Sequence, residues 1–326
     1  MINQMTESLE DYSLSKKILK TRKGGVKKVG VIGCGNMGQE IVRIISQHGI
    51  DVVFIEVNEE RIQTIMQEIN TSLDEVINKW GLTSSEKRAI LSRIQGSTDY
   101  KDISDSDIVI ESINIKQRFT SLEARKEVFK NVEAVVTPTT VIASNNSTLM
   151  ISDLASVLKY PDRVVGVNFI TPSSTVKVVE VVRALKTSDA AYEFTLRFIK
   201  MLDKIPVTLY ESPGNISTRL IVTLINEACE LLMEGVASVQ YIDLTMKNGY
   251  GLQFGPFELA DRVGLDKVLK WMNNLYLEFG TANFKPSPIL KRLVRVNYLG
   301  KKSGKGFYKY ENGKIISQAI TATEFI

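Results

Sequence analysis

Histidine and cysteine are scarce in this chain of 326 residues, which has one histidine, His48, and two cysteines, Cys34 and Cys229. No cluster of residues has the spacing of metal ligands, so we expect no metal site. The two cysteines lie in quite different segments, which favours free thiols in a reducing compartment over a disulfide. His48 is therefore the one histidine that can serve in acid–base chemistry.

Long apolar runs and strong charge are also absent. No run is long enough to span a membrane, and the N-terminus begins with polar and acidic residues, unlike a signal peptide. The net charge of +4 comes without an interleaved stripe of basic and aromatic residues, which argues against nucleic acid as a partner. The hydrophobic content of 44% is that of a globular protein, and we expect a cytoplasmic protein of two domains.

The most informative segment is a glycine-rich turn between an apolar run and a helical pattern. It contains Gly33, Gly35 and Gly38, spaced G-x-G-x-x-G. In a dinucleotide-binding turn, the first glycine makes the tight turn and the second lets the pyrophosphate approach the backbone. The third allows the helix to pack closely on the strand. Asn36 and Met37 open the helix, whose first N–H groups would face the phosphates.

An acid follows the glycine turn at the distance that a dinucleotide-binding fold requires. A second apolar run, Val52–Ile55, ends in Glu56, about twenty residues after the glycines. An acid in this place bonds the ribose hydroxyls of adenosine and repels a 2′-phosphate, so the pattern favours NAD over NADP. The alternative is a glycine-rich turn in an unrelated α/β protein, but strand, turn, helix, strand and acid occur here in the required order.

Two later strands also end in polar residues. Ser106–Glu111 ends in an acid, and the loop 144–148 follows the strand Thr140–Ala143. Because the carboxyl ends of parallel strands meet at one edge of a sheet, we expect these loops and the glycine turn to line one cleft. Glu111 and Asn145 are therefore predicted to lie near the nicotinamide half of the cofactor.

The order of elements predicts an α/β chain, with a Rossmann-type NAD-binding domain followed by an all-α C-terminal dimerisation domain. We interpret residues 1–25 as an N-terminal extension, 26–211 as the NAD-binding domain and 212–326 as the helical domain. The boundary falls where Ser212-Pro213-Gly214 interrupts the pattern, after the last predicted strand, Ile205–Leu209.

The helical domain has more apolar residues than a unit of about a hundred residues is expected to bury. The helix Leu220–Leu232 is strongly apolar, and Ile289, Leu290, Leu293 and Val294 follow the same pattern. We expect these residues to form the interface of a homodimer, although the pattern also suits the domain's own core.

Seven further motifs accompany the glycine turn in a fixed order. They are Val109–Glu111, Ala143–Leu149, Val178–Val181, Ser212–Gly214, Met246–Gly249, Gly255–Leu259 and Gly304–Tyr308. With this set, the chain from Val26 to about Tyr310 resembles the 3-hydroxyacyl-CoA dehydrogenase family, in its 3-hydroxybutyryl-CoA dehydrogenase type. The resemblance implies an NAD domain, a helical domain that dimerises, and hydride transfer between NAD and the 3-hydroxyl carbon of an acyl thioester.

The resemblance also implies a set of catalytic residues, from which this chain departs at three positions. In the family a histidine takes the hydroxyl proton, a glutamate orients that histidine, and a serine and asparagines hold the substrate. Where the family has G-x-H-F-F-N-P, this chain has Asn168 in the histidine position and Thr171 in the asparagine position. Where the family has P-G-F-I-x-N-R, Thr218 replaces the asparagine. Glu180 and Ser147 are retained.

The roles of the altered residues stay open at this level. An asparagine amide does not transfer protons near neutral pH, so Glu180 is either the base itself or a buried acid bonded to its neighbours. Ser147 is either a substrate contact or the N-cap of a helix over 149–154. His48, at the end of the helix that follows the glycine turn, is expected to point away from the cleft. The candidate catalytic residues are Glu180, Ser147, Asn168, Thr171 and Thr218.

Three functions are compatible with these residues. The first is NAD-dependent hydride transfer on an unusual hydroxyacyl thioester, carried by CoA or by an acyl-carrier protein. The second is a redox-neutral, dehydratase-like reaction in which Glu180 removes an α-proton, and the third is a non-catalytic NAD-binding dimer. The retained cofactor motif and the resemblance favour the first, with weak or no oxidation of ordinary 3-hydroxybutyryl-CoA.

Overall fold

A computed structural model of the chain describes residues 25–78, 81–115, 118–171 and 175–320. The described residues form two compact units. The first comprises the described residues up to Asn146 together with Ile151–Glu211, and the second comprises Ser147–Met150 and the described residues from Ser212 onward. The predicted N-terminal extension lies outside the described residues, except for its last position.

The first unit is built on an eight-stranded sheet in the order β3-β2-β1-β4-β5-β6-β7-β8. Each strand is parallel to its neighbour except for β6 and β7, which are antiparallel. The carboxyl ends of β1 to β6 therefore lie at one edge of the sheet, where open α/β folds bind their ligands. The strands are β1 Lys28–Ile32, β2 Asp51–Ile55, β3 Ile94–Ser97, β4 Ile108–Glu111, β5 Val141–Ser144, β6 Val164–Phe169, β7 Val178–Arg183 and β8 Ile205–Tyr210.

Helices cover both faces of this sheet, and each face has its own apolar core. The central strands are continuous runs of Val and Ile because both of their faces are buried. The Rossmann-type α/β fold expected from the sequence is confirmed. The helices of the first unit are α1 Asn36–Gln47, α2 Glu59–Ile77, α3 Ser84–Leu91, α4 Arg118–Val135, α5 Ile151–Ala155 and α6 Asp189–Met201.

An N-cap signal at Thr83 or Ser84 predicts a helix that continues to Ile94, whereas in the structure the strand β3 begins at Ile94. The helix α3 starts as predicted, with a capping box between Thr83 and Glu86, but it ends at Leu91. The next residues pair with β2. Gly96 faces Ile62 and Phe54 so closely that a Cβ atom would overlap them. A four-residue strand with one buried isoleucine has too little apolar pattern to be recognised from sequence.

The second unit is mainly helical, as expected, and its helices enclose a separate apolar core. The helices are α7 Ser217–Met233, α8 Val239–Leu244, α9 Pro256–Val263, α10 Leu265–Phe279 and α11 Pro288–Arg295, with a π-helical turn at Thr245–Gly249. The unit also contains a hairpin of two antiparallel strands, β9 Tyr308–Glu311 and β10 Lys314–Gln318. The expectation that Ile205–Leu209 is the last strand was therefore wrong. None of the helices described combines the length and the apolar character needed to cross a bilayer.

The apolar residues first assigned to a dimer surface lie mostly in the core of the second unit. Ile289, Leu290 and Leu293 are at most 1% exposed and pack in its core. That part of the expectation was wrong, because α11 is short and points its apolar side inward. Exposed apolar side chains lie elsewhere, including Val236 and Tyr241.

Candidate cofactor and substrate site

The glycine turn has the geometry that a dinucleotide requires. Gly33 has a φ of +82°, and a Cβ atom there would lie 2.9 Å from the Cα atom of Ile113. At Gly38, a Cβ atom would overlap the carbonyl oxygen of Gly33. A Cβ atom at Gly35, by contrast, would have no atom within 4 Å. Gly33 and Gly38 are thus required by the fold, whereas Gly35 borders open space of the kind that a pyrophosphate needs.

The N-terminus of α1 follows this open space. Gly35 is its N-cap residue, no side chain caps it, and its first turn has no acid. The first N–H groups of a helix have no partner within the helix and attract anions. Asn36 is exposed, and Met37 packs partly against the core.

Glu56 lies beside the same turn. Its carboxylate accepts hydrogen bonds from the backbone N–H of Cys34 at 2.7 Å and of Val57 at 3.3 Å. The acid therefore lies next to the glycine turn, as ribose recognition requires, and these residues fit a bound NAD. Burial, and then the charge of Glu56, raise the pKa of the Cys34 thiol, so this buried cysteine is an inert packing residue.

Glu111 is the last residue of β4. It is only 1% exposed, and its carboxylate accepts several hydrogen bonds. It accepts hydrogen bonds from Ser144 Oγ at 2.6 Å, from the N–H of Ile113 at 2.8 Å and from Arg125 Nε at 3.1 Å. In this structure it fixes the ends of β4 and β5. Contact of Glu111 with the nicotinamide stays a prediction. Arg125 was missed in the sequence because a lone basic residue in a helix usually faces solvent.

Asn145, directly after β5, connects two neighbouring strand ends. Its side-chain oxygen accepts a hydrogen bond from the N–H of Phe169 at 3.0 Å, and its amide nitrogen lies 3.3 Å from Ser112 Oγ. Its backbone N–H donates to the carbonyl of Glu111. The asparagine thus fixes the loops after β4 and β5 against the end of β6.

Asn168 and Glu180 face each other across the antiparallel strands β6 and β7, where they are register partners. Asn168 Nδ2 donates a hydrogen bond of 2.6 Å to Glu180 Oε2, and Glu180 is 2% exposed. A buried Glu180 that is bonded to a neighbouring side chain was one of the two roles that the sequence left open. Thr171 follows at a bend after β6 and is half-buried.

Ser147 and Thr218 form a second pair, within the second unit. Thr218 Oγ1 lies 3.0 Å from Ser147 Oγ, both side chains are buried, and the N–H of Gly214 donates to the carbonyl of Ser147. Asn274 Nδ2 donates to Thr148 Oγ1 at 2.9 Å, so α7 and α10 both hold the short segment Ser147–Met150. Two residues predicted for catalysis are therefore neighbours.

His48 lies at the other end of α1 from the glycine turn. The helix has twelve residues, so the two ends are about 18 Å apart. The histidine Nδ1 lies 2.7 Å from the carbonyl of Ile44, and Nε2 lies 3.6 Å from Asp203. The histidine thus lies away from the glycine turn, as expected, and it bonds to the last turn of its own helix.

Known proteins share both units of this chain. Residues 28–212 match the NAD-binding domain of 3-hydroxyacyl-CoA dehydrogenase, and residues 214–310 match its C-terminal domain. A 3-hydroxybutyryl-CoA dehydrogenase of Clostridioides difficile is 36% identical over 283 residues, which cover 87% of this chain and 99% of that protein.

Two solved structures have the same fold. FadB2 of M. tuberculosis is 32% identical with a TM-score of 0.84, over 88% of this chain and all of that one. The (S)-3-hydroxybutyryl-CoA dehydrogenase PaaH1 of Ralstonia eutropha is 35% identical with a TM-score of 0.79, over the same shares of the two chains.

Proposed function

Because the chain belongs to the 3-hydroxyacyl-CoA dehydrogenase family, we propose that it transfers hydride between NAD and a hydroxyacyl thioester through an altered active site. In this site Asn168 occupies the position of the family's histidine. The hydrogen bond between Asn168 and Glu180 is the observation that carries the proposal. It has the arrangement of an acid that orients a catalytic partner, but the partner is a neutral amide.

When bound, NAD supplies the hydride acceptor or donor. The chain's own contribution would be to hold it: the glycine turn and the N-terminus of α1 would bind the pyrophosphate, and Glu56 would bond the adenosine ribose. A carboxylate in this position disfavours the extra phosphate of NADP through charge repulsion. Asn145, fixed by Phe169 and Ser112, supports the nicotinamide side.

On the substrate side, we propose that Asn168 donates to or accepts from the substrate oxygen, as an amide can do both. Asn168 has no titratable group, so the hydroxyl proton needs another acceptor, and Glu180, whose carboxylate is bonded to Asn168, is the candidate. Ser147 holds the thioester or hydroxyl oxygen. Thr171 and Thr218 are each shorter than the asparagine of the family pattern, and each offers fewer hydrogen-bond donors.

The carrier of the substrate is either CoA or an acyl-carrier protein. Three changes at the substrate side, with an intact cofactor side, favour an acyl group other than 3-hydroxybutyryl. General acid–base help contributes about 10²–10⁴-fold to rate. We therefore expect slow turnover of simple 3-hydroxybutyryl-CoA.

The proposal is tested by the rate of NADH oxidation with acetoacetyl-CoA and with acyl thioesters of longer chains on both carriers. The expected result is slow reduction of acetoacetyl-CoA and faster reduction of at least one other thioester. A rate with acetoacetyl-CoA at the enzyme median of about 10 s⁻¹ would contradict the altered site. Binding of NADH without reduction of any 3-oxoacyl thioester would support a non-catalytic dimer instead.

A redox-neutral reaction is the second candidate, and the burial of Glu180 beside an amide favours it. Glu180 would remove the α-proton of a 3-hydroxyacyl thioester and return that proton to the 3-hydroxyl, which would then leave as water. This reaction would be identified by an increase in the absorbance of the enoyl thioester product while the NADH concentration stays constant. The Glu180→Gln variant should then lose it.

We also propose that the protein is a homodimer, built from the second unit. An apolar groove of about 330 Å³ lies between α7, α8 and the π-helical turn, and its lining includes Leu224, Leu231, Val236, Tyr241 and Met246. A second copy of this chain would cover this groove, in which Val236 and Tyr241 are exposed and the other three residues are partly buried. Leu231→Asp should give a monomer in light scattering, whereas Leu277→Asp, at an exposed residue outside the groove, should not. A wild-type monomer at micromolar concentration would contradict the proposal.

A further inference from the structure

Arg125 is a buried arginine on α4 that the proposed chemistry does not use. It is 4% exposed, and burial of an arginine is costly unless its donors are bonded. Its described partners are Glu111 at the end of β4, Ile113 just after β4, and Ser121 on its own helix. The partners of Arg125 therefore indicate which segments it holds in place.

The guanidinium donates in three directions. Nε donates to the Glu111 carboxylate at 3.1 Å, and Nη2 donates to the carbonyl of Ile113 at 2.5 Å. Nη1 donates to the carbonyl of Ser121 at 3.3 Å and to the Ser121 hydroxyl. Arg125 thus ties its own helix to the strand-end loop 111–113 through both a side chain and a backbone carbonyl.

This loop packs directly against the glycine turn. A Cβ atom at Gly33 would lie 2.8 Å from Ile113 Cγ2 and 2.9 Å from Ile113 Cα, so the backbone of Ile113 fills the space beside Gly33. The same loop reaches β5, because Glu111 accepts from Ser144 Oγ and its carbonyl accepts from the N–H of Asn145. Any shift of 111–113 is therefore passed to both the phosphate side and the Asn145 side of the site.

We propose that Arg125 is a positioning residue for NAD. It contacts no part of the pyrophosphate-binding turn itself. It acts through Ile113 and Glu111, which hold the turn and the Asn145 loop in the conformation that NAD needs. The requirement is for a guanidinium, because a lysine ammonium cannot place donors on a carboxylate, a loop carbonyl and its own helix at once. The inference depends on NAD binding and is independent of the altered substrate site.

The chain offers a matched control for this proposal. Arg163 is also buried in the first unit and also pairs with a glutamate, Glu133, at 3.3 Å, while it donates to the carbonyls of Thr137 and Thr140. These partners do not include any residue of the glycine turn or of the loop 111–113. A purely structural role would make Arg125→Lys and Arg163→Lys behave alike.

The experiment is a fluorescence titration of NADH into the full chain, with the melting temperature of each variant measured in parallel. Arg125→Lys should weaken NADH binding by about tenfold or more, the value of one hydrogen bond to a charged group. Arg163→Lys should leave the dissociation constant within about twofold at a comparable loss of melting temperature. Equal dissociation constants for the two variants would overturn the proposal.

Two further variants keep the proposal testable if Arg125→Lys does not fold. Ser144→Ala removes one donor from Glu111 and leaves the ion pair in place, and it should weaken NADH binding about threefold or more. In Arg125→Ala, added guanidinium ion at millimolar concentration should restore part of the NADH affinity. Unchanged NADH affinity in Ser144→Ala, or no rescue in a folded Arg125→Ala, would contradict the positioning role.

Discussion

The side-chain amide of Asn168 donates a hydrogen bond of 2.6 Å to the carboxylate of Glu180, its register partner across an antiparallel strand pair. A carboxylate thus holds Asn168, the residue that we propose to occupy the position of the family's proton acceptor. The two side chains have the geometry of a carboxylate that orients an acid–base partner. The partner here is the amide of Asn168, which does not titrate. This relationship determines the predictions for the substrate side.

Glu180→Gln should abolish turnover of the true thioester substrate and leave NADH binding unchanged. The reason is that the variant keeps the shape of the side chain and replaces the carboxylate that is bonded to Asn168 with a neutral amide. Steady-state rates and an NADH titration on the same preparation measure both effects. Full activity in this variant would remove Glu180 from the mechanism.

Gly35→Ala should lose NADH affinity, whereas Gly38→Ala should lose stability. Gly35 has room for a methyl group, so Gly35→Ala should keep its melting temperature but bind NADH weakly, because the methyl group meets the pyrophosphate. Gly38→Ala should lose about 1–3 kcal/mol of stability, because its methyl group overlaps the carbonyl of Gly33. Thermal melts with and without NADH separate the two effects. Equal NADH affinity of Gly35→Ala and wild type would contradict the assignment of the open space.

Glu56→Gln should reduce the preference for NADH over NADPH. The carboxylate that repels a 2′-phosphate becomes a neutral amide, while the bond to the N–H of Cys34 can be kept by the amide oxygen. Glu59→Gln, at the start of α2, is the control for a general change in charge. The ratio of the two dissociation constants is the measurement, and an unchanged ratio would show that Glu56 does not select the cofactor.

The second unit should lose stability as the pH rises toward neutrality. Burial raises the pKa of Asp261 to about 7, although the N–H groups of Phe307 and Tyr308 and the hydroxyl of Tyr310 lower it in part, and the nearby Asp243 raises it further. The folded chain therefore holds this proton more tightly than the unfolded chain, whose Asp has a pKa of 3.8. The resulting stabilisation is complete below about pH 4 and is lost as the pH rises through about 7.

Thermal unfolding of the cofactor-free protein at several pH values between about 5 and 8 measures this contribution. The melting temperature of Asp261→Asn should fall less over this range than that of the wild type. Asp266→Asn is the control, because Asp266 is more exposed and pairs with Lys302. Parallel profiles for Asp261→Asn and wild type would contradict the assignment.

The sequence predicts the cofactor half of the molecule better than the rest, for a physical reason. The requirements on Gly33, Gly38 and Glu56 are local, so spacing along the chain reveals them. β3 is missed because its pairing partner β2 lies far away in sequence, and the hairpin after α11 is missed because its strands are short and largely exposed.

The candidate site shows the same division between local and long-range information. The identity of Asn168 is plain in the sequence, but its bond to Glu180 depends on the register of β6 and β7. Likewise, the burial of Arg125 and the pairing of Ser147 with Thr218 arise from contacts between residues distant in sequence. A linear pattern does not contain these contacts.

The most direct test of the altered site is the rate of acetoacetyl-CoA reduction by Asn168→His relative to the wild type, measured as NADH oxidation. Glu180 is already within hydrogen-bond distance of the side chain at 168, so an imidazole there would be oriented and would titrate near neutral pH. The expected result is a rise of about 10²–10⁴-fold, the usual contribution of a general acid–base residue. A folded Asn168→His that binds NADH normally and is no faster than the wild type would contradict it.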